Sequence, residues 1–284
     1  MTAYKRTEPS NRPEKKAVQK IYTALKIAVI VYVACGLGLY FLQEKILFHP
    51  NRLPADHNFS FQLPFHEVNL PVNDEKNINI IQFTVPDSVL KGVVLYFHGN
   101  RINIERYAPF AVNFTRNNYE VWMIDYPGFG KSTGKRTEKI MYADAALLYK
   151  MARAKFSKDR IIIYGKSLGT GVATQLASVS DCKRVILETP YYSMDALLKH
   201  YAFIYPVSWM TKFHFPSYKY VKHIESPITL FHGTKDEVIP YKQAVRLARE
   251  NPGVKLVTIE KGKHNNLNDS PLFHQQLNAI LQLP

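Results

Sequence analysis

The run Ile161-Ile162-Ile163-Tyr164-Gly165-Lys166-Ser167-Leu168-Gly169 decides how the rest of the chain is read. An apolar strand leads into a sharp turn with a serine at its apex. Gly169, Thr170, Gly171, Val172 and Ala173 then begin a helix with small residues. Glycine is required at 165 and 169, because side chains there would collide where helix and strand approach closely. Such a turn strains the serine backbone and projects its hydroxyl above the sheet edge, as in a nucleophile elbow. Ser167 is the candidate nucleophile, and a serine hydrolase is the expectation.

With glycine and serine each near ~7% of residues, about 0.1 chance Gly-x-Ser-x-Gly matches are expected in a chain of this length. The sequence holds a second one, Gly130-Lys131-Ser132-Thr133-Gly134. Its serine is separated from the preceding strand by Tyr126-Pro127-Gly128-Phe129, and Lys135 and Arg136 follow in place of a small-residue helix start. Ser132 therefore reads as a loop residue. Both Gly-Lys-Ser stretches echo a phosphate-binding loop, but the glycine that motif needs five positions earlier is Asp125 in one and Arg160 in the other.

A serine hydroxyl is a weak nucleophile until a base takes its proton. If the chain order is serine, acid, histidine, the base lies late. His264 follows the final strand, and Asp236 follows the penultimate one in His232-Gly233-Thr234-Lys235-Asp236. A carboxylate at 236 would hold the imidazole in the required tautomer. Glu237 is the nearest competing acid, with Asp195 and Glu188 behind it; His98 and His232 read as loop-structuring residues. The oxyanion needs two backbone donors. These are expected from the N–H groups of Leu168, after the nucleophile, and Asn100, in the loop His98-Gly99-Asn100. The competing view of that tripeptide is an ordinary tight turn.

Outward from this centre, strands are expected at 65–71, 78–85, 93–98, 119–125, 160–164, 184–187, 228–232 and 255–259. Helices are expected at 104–116, 137–155, 168–179, 241–250 and 272–281. Continuous apolar runs suit a parallel sheet covered on both faces, and strand-helix alternation implies a doubly wound α/β fold. The first two strands lack an intervening helix and should form an antiparallel edge. Chemistry then collects at the C-terminal ends of the parallel strands.

Residues 21–42 form an apolar run of about the ~20 residues that span a bilayer. Lys26 interrupts it near one end, and Tyr22 and Tyr40 lie near its expected interfaces. Lys5, Arg6, Arg12, Lys15, Lys16 and Lys20 precede it, while only Lys45 and Arg52 follow closely. That bias predicts a single-pass anchor with a cytoplasmic N-terminus and an extracytoplasmic catalytic domain. The competing readings are a cleaved signal peptide and a buried core helix; the former would have a shorter apolar core and a small-residue cleavage site. The organisation expected is a basic tail at 1–20, a spanning helix at 21–42, a juxtamembrane linker at 43–64 and a catalytic domain at 65–284.

The net charge of +14 over 284 residues invites a nucleic-acid reading. The basic residues are dispersed, however, and no nucleic-acid-binding motif accompanies them. Anionic lipid headgroups account for the charge as well, and nucleic acid is not expected as a partner. Cys35 and Cys182, the two cysteines, are not expected to pair. The ten histidines show no tight ligand spacing and no His-Glu-x-x-His occurs, so neither metal nor cofactor is expected.

Tyr96-Phe97-His98-Gly99-Asn100, Asp125 to Ser132, Tyr164 to Gly169 and His232 to Asp236 together resemble the α/β-hydrolase superfamily, in its esterase-like branch with one N-terminal membrane helix. The likeness runs from about Phe65 to the C-terminus and extends to Leu47-Phe48-His49-Pro50. It implies an eight-stranded, mostly parallel sheet with helices on both faces. It also implies Ser167 as nucleophile, Asp236 as acid and His264 as base, with Asp125 and Ser132 in a structural loop. One departure is Arg101, where relatives often carry a small residue; it could narrow the site or bind an anionic group. Residues 194–226 are expected to form a small helical lid. Leu197, Leu198, Tyr201 and Ile204–Tyr205 share a helical face, and Pro206, Trp209, Met210, Phe213 and Phe215 follow. Arg101, Tyr201, Trp209 and Phe213 are the candidate substrate contacts, against ordinary core packing for the apolar ones. Carboxylesters or thioesters of lipophilic acids, free or in lipid, are the expected substrates. A serine peptidase and a membrane-tethered interaction protein without turnover are the alternatives.

Overall fold

Strands and helices alternate as expected along the computed structural model, which describes residues 12–283. Helix α1 (Arg12–Leu47) is followed by the short strand β1 (His49–Pro50), then β2 (Phe65–Asn73) and β3 (Lys76–Phe83). Next come β4 (Gly92–Phe97), β5 (Arg101–Ile102), helices α2 (Ile104–Tyr107) and α3 (Val112–Thr115), and β6 (Tyr119–Ile124). Helix α4 (Glu138–Lys155), strand β7 (Ile161–Lys166), helix α5 (Gly169–Ser178) and strand β8 (Arg184–Glu188) form the middle of the chain. Three short helices, α6 (Met194–Tyr201), α7 (Val207–Met210) and α8 (Ser217–Tyr220), precede β9 (Ile228–Gly233), α9 (Lys242–Ala248), β10 (Val254–Ile259) and α10 (Pro271–Gln282).

Eight strands make one sheet in the order β10-β9-β8-β7-β4-β6-β3-β2. From β10 to β6 every neighbouring pair is parallel. β3 runs antiparallel to both β6 and β2, so the expected antiparallel edge is present. The β2–β3 connection is a tight turn in which Asn73 Oδ1 accepts from the N–H groups of Glu75 and Lys76. The central strands are apolar throughout because alternate residues enter different cores. Val93, Leu95, Phe97, Ile161, Ile163, Val185 and Leu187 pack with α4 and α5 residues such as Met141, Leu148, Val172 and Leu176. Val94, Tyr96, Ile162, Tyr164 and Ile186 face Ile104, Phe114, Phe273, Leu277 and Ile280 from α2, α3 and α10.

Two expected elements differ. The helix foreseen over 104–116 is broken by a 3₁₀ turn, Ala108–Ala111, with Pro109 at its start; proline supplies no N–H to continue an α-helical ladder. In the 194–226 segment the helix stops at Tyr201, before Pro206, and Ala202 caps it. The apolar face expected to run through Ile204–Tyr205 is therefore interrupted.

The described chain forms two compact units, one ending at Ile46 and one beginning at Leu47. This corrects the linker expected over 43–64 and the domain start expected at 65. Phe48 is buried within the second unit, its ring 4.8 Å from that of Phe213 and 6.5 Å from that of Phe129, with the Arg136 guanidinium 4.3 Å from its centre. β1 pairs in parallel with β5 as a separate two-stranded sheet, tying these residues to the segment that follows β4. The helical stretch Lys16–Leu47 is long and apolar enough to cross a membrane, and few of its positions are buried. Its full helix of 36 residues would rise about 54 Å. Much of the basic tail expected at 1–20, including Lys5 and Arg6, lies outside the described residues. Cys35 and Cys182 are both free thiols.

Candidate active site

Ser167 stands just past the end of β7 with φ of 52°, in the left-handed region that is costly for a residue with a Cβ. Its N–H donates to Glu188 O at the end of β8 (2.9 Å), and its carbonyl accepts from the N–H (3.0 Å) and hydroxyl (2.6 Å) of Thr170 in α5. The flanking glycines make the turn possible. A Cβ at 169 would lie 2.0 Å from Phe97 O, and one at 165 would lie 2.7 Å from Gly169 O.

β9 and β10 are parallel neighbours, so the loops at their C-terminal ends emerge side by side. Lys235 N–H donates to Gly262 O (2.9 Å), and a Cβ on Gly233 would fall 2.2 Å from that same oxygen. The second loop thereby carries His264 to a point between the first loop and Ser167. His264 Nε2 is 2.9 Å from Ser167 Oγ, and its Nδ1 is 2.9 Å from Asp236 Oδ2. With Nδ1–H donating to the carboxylate, Nε2 is left to accept from the serine hydroxyl.

Asp236 is held on both oxygens. Oδ1 accepts from the N–H groups of Val238 (2.9 Å) and Ile239 (2.7 Å), while His232 Nε2 lies 3.2 Å from Oδ2. Burial works to raise this carboxyl. Hydrogen bonds from His232 and His264, the attraction of His264 and the Ile239 N–H outweigh it, leaving the group well below the ordinary carboxylate range. Glu237, the competing acid in the sequence, instead accepts from the His264 backbone N–H at 3.3 Å. Asp195 pairs with His214, and Glu188 with Lys166, so neither reaches His264.

Among the described residues, neither the Asn100 nor the Leu168 N–H donates to a backbone carbonyl. Asn100 and Ser167 line the same cavity of about 300 Å³, with Arg101, Arg106, Tyr107, Phe110, Lys166, Val238, His264 and Asn265. Of the four residues expected to contact substrate, only Arg101 is among them. Phe213 is a core residue, 2% exposed and packed on Phe48 and Phe215. Trp209 is 88% exposed and takes no part in the cavity wall. Tyr201 donates to the Val238 carbonyl at 2.8 Å and so braces a cavity loop without lining it. The expected aromatic lid wall is thus absent from the cavity, because α6 ends early and its apolar residues divide between core and solvent.

Arg106, Tyr107, Phe110, Lys166 and Val238 were not singled out in the sequence. Lys166 had the only local signal, adjacency to Ser167; its ammonium pairs with buried Glu188, which also accepts from Tyr164. Ser132 is buried, and its Oγ accepts from Asn79 N–H at 2.9 Å. His98 is likewise buried, 3.1 Å from Asp125 through Nε2, and Asp125 also accepts from Ile104 N–H. These residues tie the loop after β6 to the loop after β4.

A family model described as serine aminopeptidase, S33, matches residues 88–220, a span that includes Ser167 and ends before Asp236 and His264. The alpha/beta hydrolase domain-containing protein 17C of Xenopus tropicalis is 32% identical over 198 residues, covering 66% of this chain and 60% of that protein. Its Homo sapiens namesake is 31% identical, covering 66% of this chain and 56% of the relative. The chain therefore spans less than two thirds of the length of these relatives. Among solved structures, an esterase of Pyrococcus furiosus superposes with a TM-score of 0.65 at 19% identity, covering 83% of this chain and 97% of that one. A ferulic acid complex of Est1E from Butyrivibrio proteoclasticus gives 0.61 at 17%, covering 75% and 97%. Those identities speak to fold alone, and the fold agrees with what the sequence matches and the sheet order independently point to: the chain belongs to the α/β-hydrolase superfamily.

Proposed function

We propose that this hydrolase is a serine esterase or thioesterase that works through an acyl-enzyme on Ser167. What carries the assignment is the unbroken hydrogen-bond chain Ser167–His264–Asp236, with two links of 2.9 Å. His264 Nε2 takes the hydroxyl proton as Ser167 Oγ attacks the substrate carbonyl carbon. Asp236 stabilises the imidazolium that results. The N–H groups of Asn100 and Leu168 receive the developing oxyanion. His264 then protonates the departing alcohol or thiol as its bond to carbon breaks. A water attacks the acyl-enzyme, giving its proton to His264, and the imidazole returns that proton to Ser167 as the acid leaves.

A cavity of about 300 Å³ is at the small end of the ~300–1,000 Å³ usual for ligand sites. Short acyl groups held against Tyr107, Phe110 and Val238 are the best fit. Cleavage of peptides is the second reading, suggested by the description of the matching family model. An aminopeptidase must hold a free ammonium near the nucleophile, and this cavity offers two arginines and a lysine with no carboxylate among its lining residues. The ester reading is favoured for that reason.

The N-terminal helix is proposed to anchor the enzyme, with the basic tail cytoplasmic and the domain from Leu47 outside. Its length, its apolar composition and the upstream excess of lysine and arginine support this. A fluorophosphonate probe tests the chemistry. Full-length protein in detergent should be labelled, Ser167→Ala should not, and Ser132→Ala should be labelled like the parent. Labelling retained in Ser167→Ala and lost in Ser132→Ala would overturn the assignment, and no hydrolysis of nitrophenyl esters at any acyl length would favour a binding protein.

A further inference from the structure

The cavity beside Ser167 is cationic in a way that ester cleavage alone does not demand. Arg101 and Arg106 line it on the side of β5 and α2. Both are exposed, and neither has a carboxylate partner among the described residues. Lys166, the third cation of the wall, differs: it is buried and its charge is matched by Glu188. The cavity thus carries two uncompensated guanidinium groups and no lining Asp or Glu.

The backbone that presents these arginines is rigidly held. Asn100 O, before Arg101, accepts from His49 N–H at 2.9 Å; Ile102 O, after it, accepts from Asn51 N–H at 2.8 Å. The Asn100 side chain donates to Leu47 O at 2.7 Å. Ile102 has φ of 63°, a strained value for a β-branched residue, which turns the chain sharply into α2. Asn103 caps that helix by accepting from Glu105 N–H, and Asp125 accepts from Ile104 N–H, so the start of the helix that carries Arg106 is held in place. Burial raises the Tyr107 hydroxyl, and the Arg101 backbone N–H, the hydrogen-bonding Arg106 guanidinium and the charge of Arg101 oppose it. Strain of this kind is retained where surrounding contacts hold a segment in a required geometry.

We infer that Arg101 and Arg106 form an anion-binding subsite that selects substrates bearing a carboxylate or a phosphate close to the scissile ester or thioester. This rests on the serine-hydrolase reading and narrows its substrate class. A planar guanidinium pairs with either oxyanion through two parallel hydrogen bonds, and an unpaired cationic wall also draws anionic substrates to the mouth.

Full-length protein in detergent is assayed on two matched pairs. The first is 4-nitrophenyl pentanoate against mono-4-nitrophenyl glutarate, which differ by a terminal methyl and a carboxylate on the acyl side. The second is pentanoylglycerol against its phosphate monoester, which places the anion on the alcohol side. Wild-type kcat/KM should favour the anionic member of at least one pair, and the pair that responds identifies carboxylate or phosphate. In the double variant Arg101→Gln/Arg106→Gln, kcat/KM for the preferred anion should fall about ten- to a hundred-fold further than for its neutral partner. Arg101→Lys/Arg106→Lys should restore part of the preference. Neutral substrates preferred in both pairs by the wild type, or an anion preference that survives the glutamine variant, would overturn the inference. Absent turnover together with absent fluorophosphonate labelling would instead defeat the hydrolase reading. The subsite is then read by calorimetric titration of glutarate and inorganic phosphate, and equal binding to wild type and glutamine variant would overturn it.

Discussion

Asp236 illustrates how much a single side chain integrates. It orients His264, receives two backbone N–H groups that shape its own loop, and stays charged against the cost of burial. Asp236→Asn should favour the wrong imidazole tautomer and lower kcat by about 10⁴-fold, measured on any ester the parent cleaves. Its pH signature follows from the depressed carboxyl. The folded state binds the proton less readily than the unfolded chain, whose carboxyl titrates near ~3.9. The stability it contributes is therefore complete above about pH 4 and is lost as pH falls through the lower folded value. Thermal melts should show Asp236→Asn less stable than the parent at pH 7, with the gap closing below about pH 4; a gap independent of pH would contradict this. Lys166 and Glu188 give a second case. Lys166→Met leaves a buried carboxylate without its cation and should cost about 3–5 kcal/mol, whereas Lys166→Met/Glu188→Leu should recover much of it. Urea unfolding midpoints compare the two.

Among the elements, close approach of backbone to backbone sets the tolerances. A Cβ at 169 meets the carbonyl oxygen of Phe97, and no rotamer change relieves a 2.0 Å contact between two backbones. Gly169→Ala should shift β4 against α5, disturb Ser167 and yield insoluble or unlabelled protein, judged by soluble yield and fluorophosphonate reactivity. The segment between β8 and β9 behaves otherwise. Phe213→Ala removes a buried ring and should cost about 3–5 kcal/mol. Trp209→Ala removes an exposed one and should stay within about 0.5 kcal/mol. Denaturant midpoints separate the pair, and equal losses would mean that Trp209 packs more closely than its exposure indicates.

For the whole molecule, the residues between the helix and the sheet matter more than a linker would. A chain begun at Leu47 keeps Phe48 in the core and the β1–β5 pairing beside Arg101; one begun at residue 65 loses both. The first should be soluble and cooperative in thermal unfolding, and the second should aggregate. Full-length protein should remain in membranes through carbonate extraction, and its release would rule out a spanning helix. What the sequence determined alone is local or ordered along the chain. A tight strand-to-helix turn demands glycines at fixed offsets, a sheet covered on both faces demands unbroken apolar runs, and the proposed acid and base follow consecutive strands. The eight strands were legible for those reasons, as were the three side chains, Ser167, Asp236 and His264, that the fold brings within hydrogen-bond distance of one another. The cavity wall was not. Arg106 and Val238 lie on different elements, and α6 presents its apolar residues partly to the core and partly to solvent, so neither spacing nor periodicity encodes which side chains meet. That is settled only when β4, β7 and β9 pack as neighbours or near neighbours and their loops converge, since a cavity is a property of distances across the chain rather than along it.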